Sequence, residues 1–478
     1  MNRREFIRGV ALAAGAAPIS AADAASAGVA STGSEIPYSR TVPVKVETDV
    51  MVCGGGPAGV AAAVAARSKG ARVFVAEGFT CFGGLGTAAR VPLFMQWGDG
   101  VRDLACGFGT RFRERLEKAG AMCGSGGAFD FEAVKREYDA TMAESGADFL
   151  FETRVIDVVK GGDAVQCAIV AAPSGIWAVR AKVFVDATGN GDVAVQAGAR
   201  YEKGDAAGHM MPASLLSAWA GIDWERWERE RPRQSQPFGA ELARAAADGV
   251  FREPDRHMTG LYRFPDGYAT ANIGHVFNLD GTDERSLTAG YVRGRESMLE
   301  YQRYFREYLG RGLENVRLVE TAAKMGVRET RRIVGDYVMT LDDYMRRAVF
   351  DDEIGRYCYP IDIHPSSADK EAYERHREEF DRLYRYKRGE SYGIPYRSLC
   401  AKGVRNLLVA GRCISTDQKV QASVRVMPAC YITGQAAGMA AALAANASCD
   451  VHAVGVRELQ AALAGFGAYL PNAKRASS

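Results

Sequence analysis

Apolar positions along this chain fall into two kinds of run. The first is short and unbroken: Asp49 to Cys53, Arg72 to Ala76, Lys182 to Ala187 and Asn406 to Ala410 are strand-length apolar stretches, three of them closing on glycine or an Ala-Thr-Gly turn. That pattern predicts strands buried on both faces of a parallel sheet. The second kind repeats every three to four residues over Phe129 to Glu144, Ser286 to Leu309 and Ala368 to Lys387, and predicts helices. Val60 to Ser68 reads as an alanine-rich helix between the first two strands. Asp148 to Val159 reads as one strand, and Ala164–Ala172 with Ile176–Ala181 as a hairpin after a Gly-Gly turn. Asp192 stands where it would cap a following helix. Met427-Pro428 opens a last helix, since proline is favoured at a first helical position. Its Gly434, Ala437, Gly438 and Ala441 would let another element approach closely.

The turn between the first strand and helix carries chemistry. In Gly54-Gly55-Gly56-Pro57-Ala58-Gly59, the first glycine permits the turn, Gly56 lets a pyrophosphate approach the backbone, and Gly59 lets helix and strand pack closely. The phosphates would sit at the helix N-terminus. Glu77, ending the second strand, is placed to accept from a ribose 2′-hydroxyl, which disfavours a 2′-phosphorylated ligand. Gly83-Gly84-Leu85-Gly86 forms a second loop able to expose its backbone to a nucleotide or flat ring.

Residues 201–398 change character, being rich in Arg, Glu, Tyr and Trp, and read as an inserted substrate or cap domain. The sheet-forming segments on either side, 46–200 and 399–446, then form one split nucleotide-binding domain, with 447–478 as a C-terminal tail. At the other end, Arg3-Arg4 precede Phe6-Ile7, a weakly apolar stretch and a small-residue run. Residues 1–26 resemble a twin-arginine signal peptide and 27–45 a leader. The twin-arginine translocase would be a partner during export to the periplasm or extracytoplasmic face. Because that route carries folded proteins, it suits a chain that captures a cofactor first.

Composition narrows the alternatives. The 478 residues are 47% apolar, enough for a sizeable core, and the net charge of +2 comes from bases interspersed with acids. No clustered basic face predicts a nucleic-acid partner. Ten cysteines contain no CxxC and no Cys/His metal spacing, so no metal site is expected. No apolar run predicts an integral membrane segment after signal removal.

GGGPAGVAAAVAA, VFVDATGNGD and NLLVAGRCIS…RVMPACYITGQAAGMAAALA together are similar to the three flavin-contacting stretches of glutathione-reductase-type FAD domains. More narrowly, MGVRETRRIVGDYVMT, YPIDIH and YGIPYRSL resemble segments of the FAD-dependent oxidoreductase family, and the resemblance covers nearly all of 46–446. It implies an α/β fold with a split Rossmann FAD domain and an inserted α+β cap. It implies that Gly54, Gly56, Pro57, Ala58 and Gly59 hold the pyrophosphate and Glu77 the adenosine ribose, while Gly83 and Gly84 line the path to the flavin. Val155 would pair its backbone with adenine, Ala187, Thr188 and Gly189 would support the pyrophosphate side, and Gly411 the ribityl chain. The helix start at Met427, Pro428 and Ala429 would direct positive charge at the flavin. Many such domains have Gly-Asp after the last strand. This chain has Gly411-Arg412, so Arg412 would serve ring or phosphate instead.

His364 is the first candidate base, because histidine titrates near neutrality, with His275 and His209 next and a structural role open for each. If the segment around Arg328 is extended, period-two alternation puts Arg328 and Arg332 on one face and Glu329 and Arg331 on the other. Arg328 and Arg331 could then meet a substrate carboxylate or the flavin, or join Glu329 in a structural network. Cys81 could carry a flavin thioether or be an ordinary buried or disulfide-paired thiol. The expected function is an exported FAD-dependent dehydrogenase or reductase that exchanges hydride with a small polar substrate and electrons with a quinone or periplasmic carrier. The alternative is a non-catalytic electron-transfer or assembly flavoprotein.

Overall fold

The computed structural model describes residues 35–123, 127–231, 238–253, 255, 260–264 and 267–473. The predicted signal at 1–26 and residues 27–34 of the leader lie outside the described residues. The central sheet comprises β1 (Val44–Cys53), β2 (Val73–Ala76), β3 (Asp148–Leu150), β4 (Arg154–Gly161), β5 (Ala164–Ala172), β6 (Gly175–Asp186) and β7 (Leu407–Val409). Their order is β3-β2-β1-β6-β5-β4, with β7 added on β6. Strands β3, β2, β1, β6 and β7 are mutually parallel, whereas β4, β5 and β6 pair antiparallel.

Three boundaries differ from the sequence reading. The leader ends early, because Val44 already pairs with Ala178. The stretch expected as one strand from Asp148 to Val159 is two, broken at Glu152, whose φ of 50° is left-handed. There Glu152 and Thr153 donate to the carbonyls of Phe79 and Glu77, which pulls the chain across the end of β2 before β4 begins. Conversely, the second hairpin arm and the Lys182 strand are one strand, β6. Its first half pairs with β5 and its last residues, Phe184 to Asp186, with β7.

Helix α1 (Pro57–Arg67) follows β1, and α2 (Phe131–Ser145) starts where the Asp130 carboxylate accepts from Glu132 and Ala133 N–H. The inserted region has its own antiparallel sheet, of strands Ser217–Ala220, Gly260–Arg263, Ala269–Asn272 and Arg317–Thr321. It is backed by α3 (Glu284–Tyr304), and Trp219, Trp224, Trp227 and Tyr301 fill a core separate from that of the central sheet. The packed cores divide the chain differently from the compositional interval 201–398. Ile333, Met339, Tyr344, Ile354, Tyr357 and Tyr392 are buried in the central core. In the expected C-terminal tail, Val451, Leu459 and Leu463 are buried and α6 (Val456–Gly465) packs on the last long helix.

That long helix, α5 (Met427–Ala447), follows the short α4 (Gln418–Val424) and is buried almost throughout. It lies directly on α1. A Cβ added to Gly434 would come 2.2 Å from the Ala58 carbonyl oxygen, and one on Gly438 would come 2.0 Å from that of Ala62. Only glycine permits this approach, so the expected role of the small residues holds and the partner is α1. Among the described residues, no single helix is long and apolar enough to cross a membrane.

Candidate active site

The ends of β1, β6 and β7 converge with the start of α5 around a cavity of about 350 Å³. Gly54 has φ +98°, and Gly59 faces its carbonyl so closely that a Cβ would lie 1.9 Å from the oxygen. Gly56 is different. It lines the cavity, and a Cβ there would meet nothing within 4 Å. The glycines thus divide the tasks as the motif predicts, the middle one opening the floor to a ligand. Gly56 is also the N-cap of α1 and supplies no side-chain cap, so first-turn N–H groups are left for an anion. Glu77 braces this loop, its two carboxylate oxygens accepting from Gly55 N at 2.6 Å and Phe79 N at 2.7 Å.

Of the residues expected at the cofactor, Gly54, Gly56, Pro57, Ala58, Glu77, Gly84, Val155, Ala187, Thr188, Gly189, Gly411, Arg412 and Met427 line this one cavity. Gly59, Gly83, Pro428 and Ala429 do not line it. Asp186 holds the Ala187-Thr188-Gly189 turn: Oδ1 accepts from the Thr188 N–H and hydroxyl, and Oδ2 from Ala194 N–H. Burial raises its carboxyl to about 6 against the pull of those donors. Asp192 is not the helix cap, a place taken by Gly191. It lines the cavity and receives the Arg331 guanidinium at 2.8 Å.

Arg412 ties three segments together. Its Nε donates to Gly189 O at 2.7 Å, Nη1 to Val327 O at 2.9 Å and Nη2 to Asn190 Oδ1 at 2.6 Å. Sequence reasoning missed Lys324, which enters the cavity from the inserted region with its ammonium 4.2 Å from the centre of the Phe79 ring. Among the described residues it forms no ion pair, and burial lowers it to about 8. A buried cation without a carboxylate, an uncapped helix start and the open floor at Gly56 fit a phosphate-bearing ligand.

The four predicted catalytic residues do not line the cavity, but three of them form a buried polar cluster beside it. His364 Nδ1 and His275 Nε2 are 2.9 Å apart, and His275 Nδ1 lies 2.8 Å from the Tyr373 hydroxyl, which donates to Asp255. On the other side His364 Nε2 is 3.4 Å from Asp362. Arg425, the first residue of the RVMPACYITGQAAGMAAALA stretch but given no role there, lines the cavity and donates through Nη2 to Asp362 O at 3.0 Å and Oδ2 at 3.1 Å. Its Nε is buried and has no hydrogen-bond partner among the described residues. Burial pushes the Asp362 carboxyl up, but His364 and Arg425 outweigh it and hold the group well below its ordinary range. Arg328 donates to Pro212 O at 2.8 Å and Ser214 Oγ at 3.0 Å, and burial, reinforced by Arg425, lowers it to about 10.

The alternation expected around Arg328 fails, because the chain is irregular until the strand at Arg331–Ile333. Glu329 and Arg332, predicted on opposite faces, pair at 2.6 Å, and Glu329 also accepts from Met211 N and Gln418 Nε2. For Glu329 the structural network is what the fold contains. His209 is exposed beside Asp205. Cys81 does not line the cavity. Its thiol contacts the Thr87 hydroxyl and makes no disulfide.

An α/β fold with a mixed sheet, a glycine cradle at its carboxyl edge and three separated segments on one cavity define a dinucleotide-binding protein. Residues 49–463 match the FAD dependent oxidoreductase family, and the chain belongs to it. Its cofactor is therefore FAD. Comparison with curated protein sequences finds no match. Among solved structures it is similar to a geranylgeranyl bacteriochlorophyll reductase-like protein from Thermoplasma acidophilum, with 13% identity, 88% of this chain and 84% of that one covered, and a TM-score of 0.42. It is also similar to the flavin-dependent brominase Bmp2, with 13% identity, 88% and 83% coverage and a TM-score of 0.44.

Proposed function

We propose that the chain is an exported FAD-dependent oxidoreductase, with a split FAD domain of the glutathione-reductase type, that exchanges hydride with a small polar substrate bearing an anionic group. Bound FAD supplies the hydride-accepting or hydride-donating ring. The chain's own residues bind, orient and hold protons. The first-turn amides of α1 and Lys324 take the phosphates, Glu77 the adenosine ribose, and Val155 the adenine.

One observation carries the substrate reading: Arg425 lines the cavity with a buried Nε that has no partner among the described residues, just ahead of the α5 N-terminus. A carboxylate or oxyanion arriving there would satisfy that donor and meet the positive end of the helix. Asp362 fixes the guanidinium, and His364 behind it belongs to a hydrogen-bonded chain through His275 to Tyr373 and Asp255. In this reading His364 and His275 are positioning residues that hold a proton behind Arg425, not a base in contact with substrate. Arg328 and Arg331 stiffen the walls.

Anaerobic titration of the purified holoprotein against small hydroxy acids and other polar compounds, read at the flavin absorbance, tests the proposal. An enzyme bleaches with particular compounds. A flavoprotein that only carries electrons responds to redox proteins alone, and that outcome would overturn the reading. Export is tested by replacing Arg3 and Arg4 with lysine, which should strand the protein in the cytoplasm. Re-oxidation of the reduced protein by membranes or quinone analogues tests the expected electron partner.

A further inference from the structure

A second cavity, of about 570 Å³, shares no lining residue with the first. On its wall Asp336, Cys400 and His452 offer a carboxylate oxygen, a sulfur and an imidazole nitrogen that all lie within 4.8 Å of one another. We propose that these three side chains bind a divalent transition-metal ion of the zinc class. The fourth coordination position would open into the cavity.

The donor set selects the metal. Thiolate and imidazole favour zinc over magnesium or calcium, and three protein ligands with one open position are a known zinc arrangement. Ligand atoms around tetrahedral zinc are about 3.3–3.8 Å apart, given bonds of about 2.0–2.3 Å, so on binding Asp336 and His452, which now touch, would part to admit the ion while the sulfur draws in.

The backbone already holds the three ligands in place. Asp336 N donates to Cys400 O at 3.2 Å, and Gly335 bridges to Ala401. The turn carrying His452 is pinned by the Tyr396 hydroxyl on Val451 O at 2.7 Å and by Val451 N on Arg405 O at 2.9 Å. His452 Nε2 lies 3.3 Å from Val404 O, a contact of the kind that orients a metal-binding imidazole, while Nδ1 faces Asp336 at 2.5 Å. On binding, the Cys400 thiol releases its proton to solvent, because the thiolate is the ligand. The ion would clamp the C-terminal segment to the loop that leads into β7, away from the flavin cavity.

Metal-free holoprotein titrated with zinc or cobalt tests the site. One equivalent should survive dialysis, at least one proton should be released per ion at neutral pH, and cobalt should give tetrahedral bands to the red of oxidised flavin with a sulfur charge-transfer band. Cys400→Ser should remove the charge-transfer band, and His452→Gln should lower the affinity at least tenfold. Flavin content reports whether each variant folds. Substoichiometric zinc in the unaltered protein, or binding without proton release, would overturn the proposal even if both variants fail to fold. So would a cobalt spectrum unchanged in a flavin-replete Cys400→Ser protein.

Discussion

Arg425 grips Asp362 twice through one nitrogen, at the backbone carbonyl and at the carboxylate, while its Nε is buried without a partner among the described residues. A guanidinium held at one end and unsatisfied at the other is prepared to receive an anion.

Replacing Arg425 should therefore separate flavin binding from reaction. Arg425→Ala is expected to retain FAD, because its contacts are to Asp362 and not to the glycine cradle, while substrate-dependent flavin reduction falls about 10²-fold or more. Arg425→Lys should fail nearly as badly, since an ammonium cannot hold Asp362 and also present the second donor. Stopped-flow reduction rates, with flavin content measured on the same samples, check both.

Gly56 and Gly59 should behave oppositely although they are close in sequence. At Gly56 a side chain enters open space, so Gly56→Val should fold and lose FAD. At Gly59 a Cβ strikes the Gly54 carbonyl, so Gly59→Ala should lower the melting temperature of the apoprotein as well. Gly438→Ala, against Ala62, should cost about 1–3 kcal/mol of stability by overpacking without touching the cofactor. Thermal melts with and without FAD distinguish the three.

Lys324 makes cofactor affinity depend on pH. Its ammonium is lowered by burial to about 8 from an ordinary 10.5, so between those values the unfolded apoprotein binds a proton that the folded one does not. Apoprotein stability should accordingly rise with pH across that interval. Phosphates arriving beside Lys324 favour the charged form, so FAD affinity should fall as pH rises above about 8 with a proton taken up on binding. Calorimetry in buffers of different ionisation heat checks this, and Lys324→Met should weaken FAD binding and abolish the linkage.

His275 sets an acid limit. Burial lowers its imidazole below the ordinary 6.5, so the folded protein keeps it neutral where the unfolded chain would protonate it. The stability this contributes is present above pH 6.5 and is lost as pH falls through the folded value. Denaturant midpoints measured from pH 7 downward should show the loss, and His275→Gln should flatten it.

The amino-acid sequence by itself determined the first βαβ unit, the three separated segments that meet on the cavity, and the glycine-mediated approach of the last helix. Those features depend on backbone conformation at single positions and on local periodicity, which adjacent residues encode. Tertiary structure alone decided the rest. Whether Asp148 to Val159 is one strand or two depended on the carbonyls of Glu77 and Phe79, which catch the chain at Glu152 and Thr153. Lys324 and Arg425 stand at the edges of the MGVRETRRIV and RVMPACYITG stretches without a spacing that marks them, and they come to line the cavity because folding brings them to the ends of β1, β6 and β7. Asp336, Cys400 and His452 lie too far apart for any spacing rule. Meetings between distant side chains follow from how layers pack and loops return, and neither leaves a periodic trace along the chain.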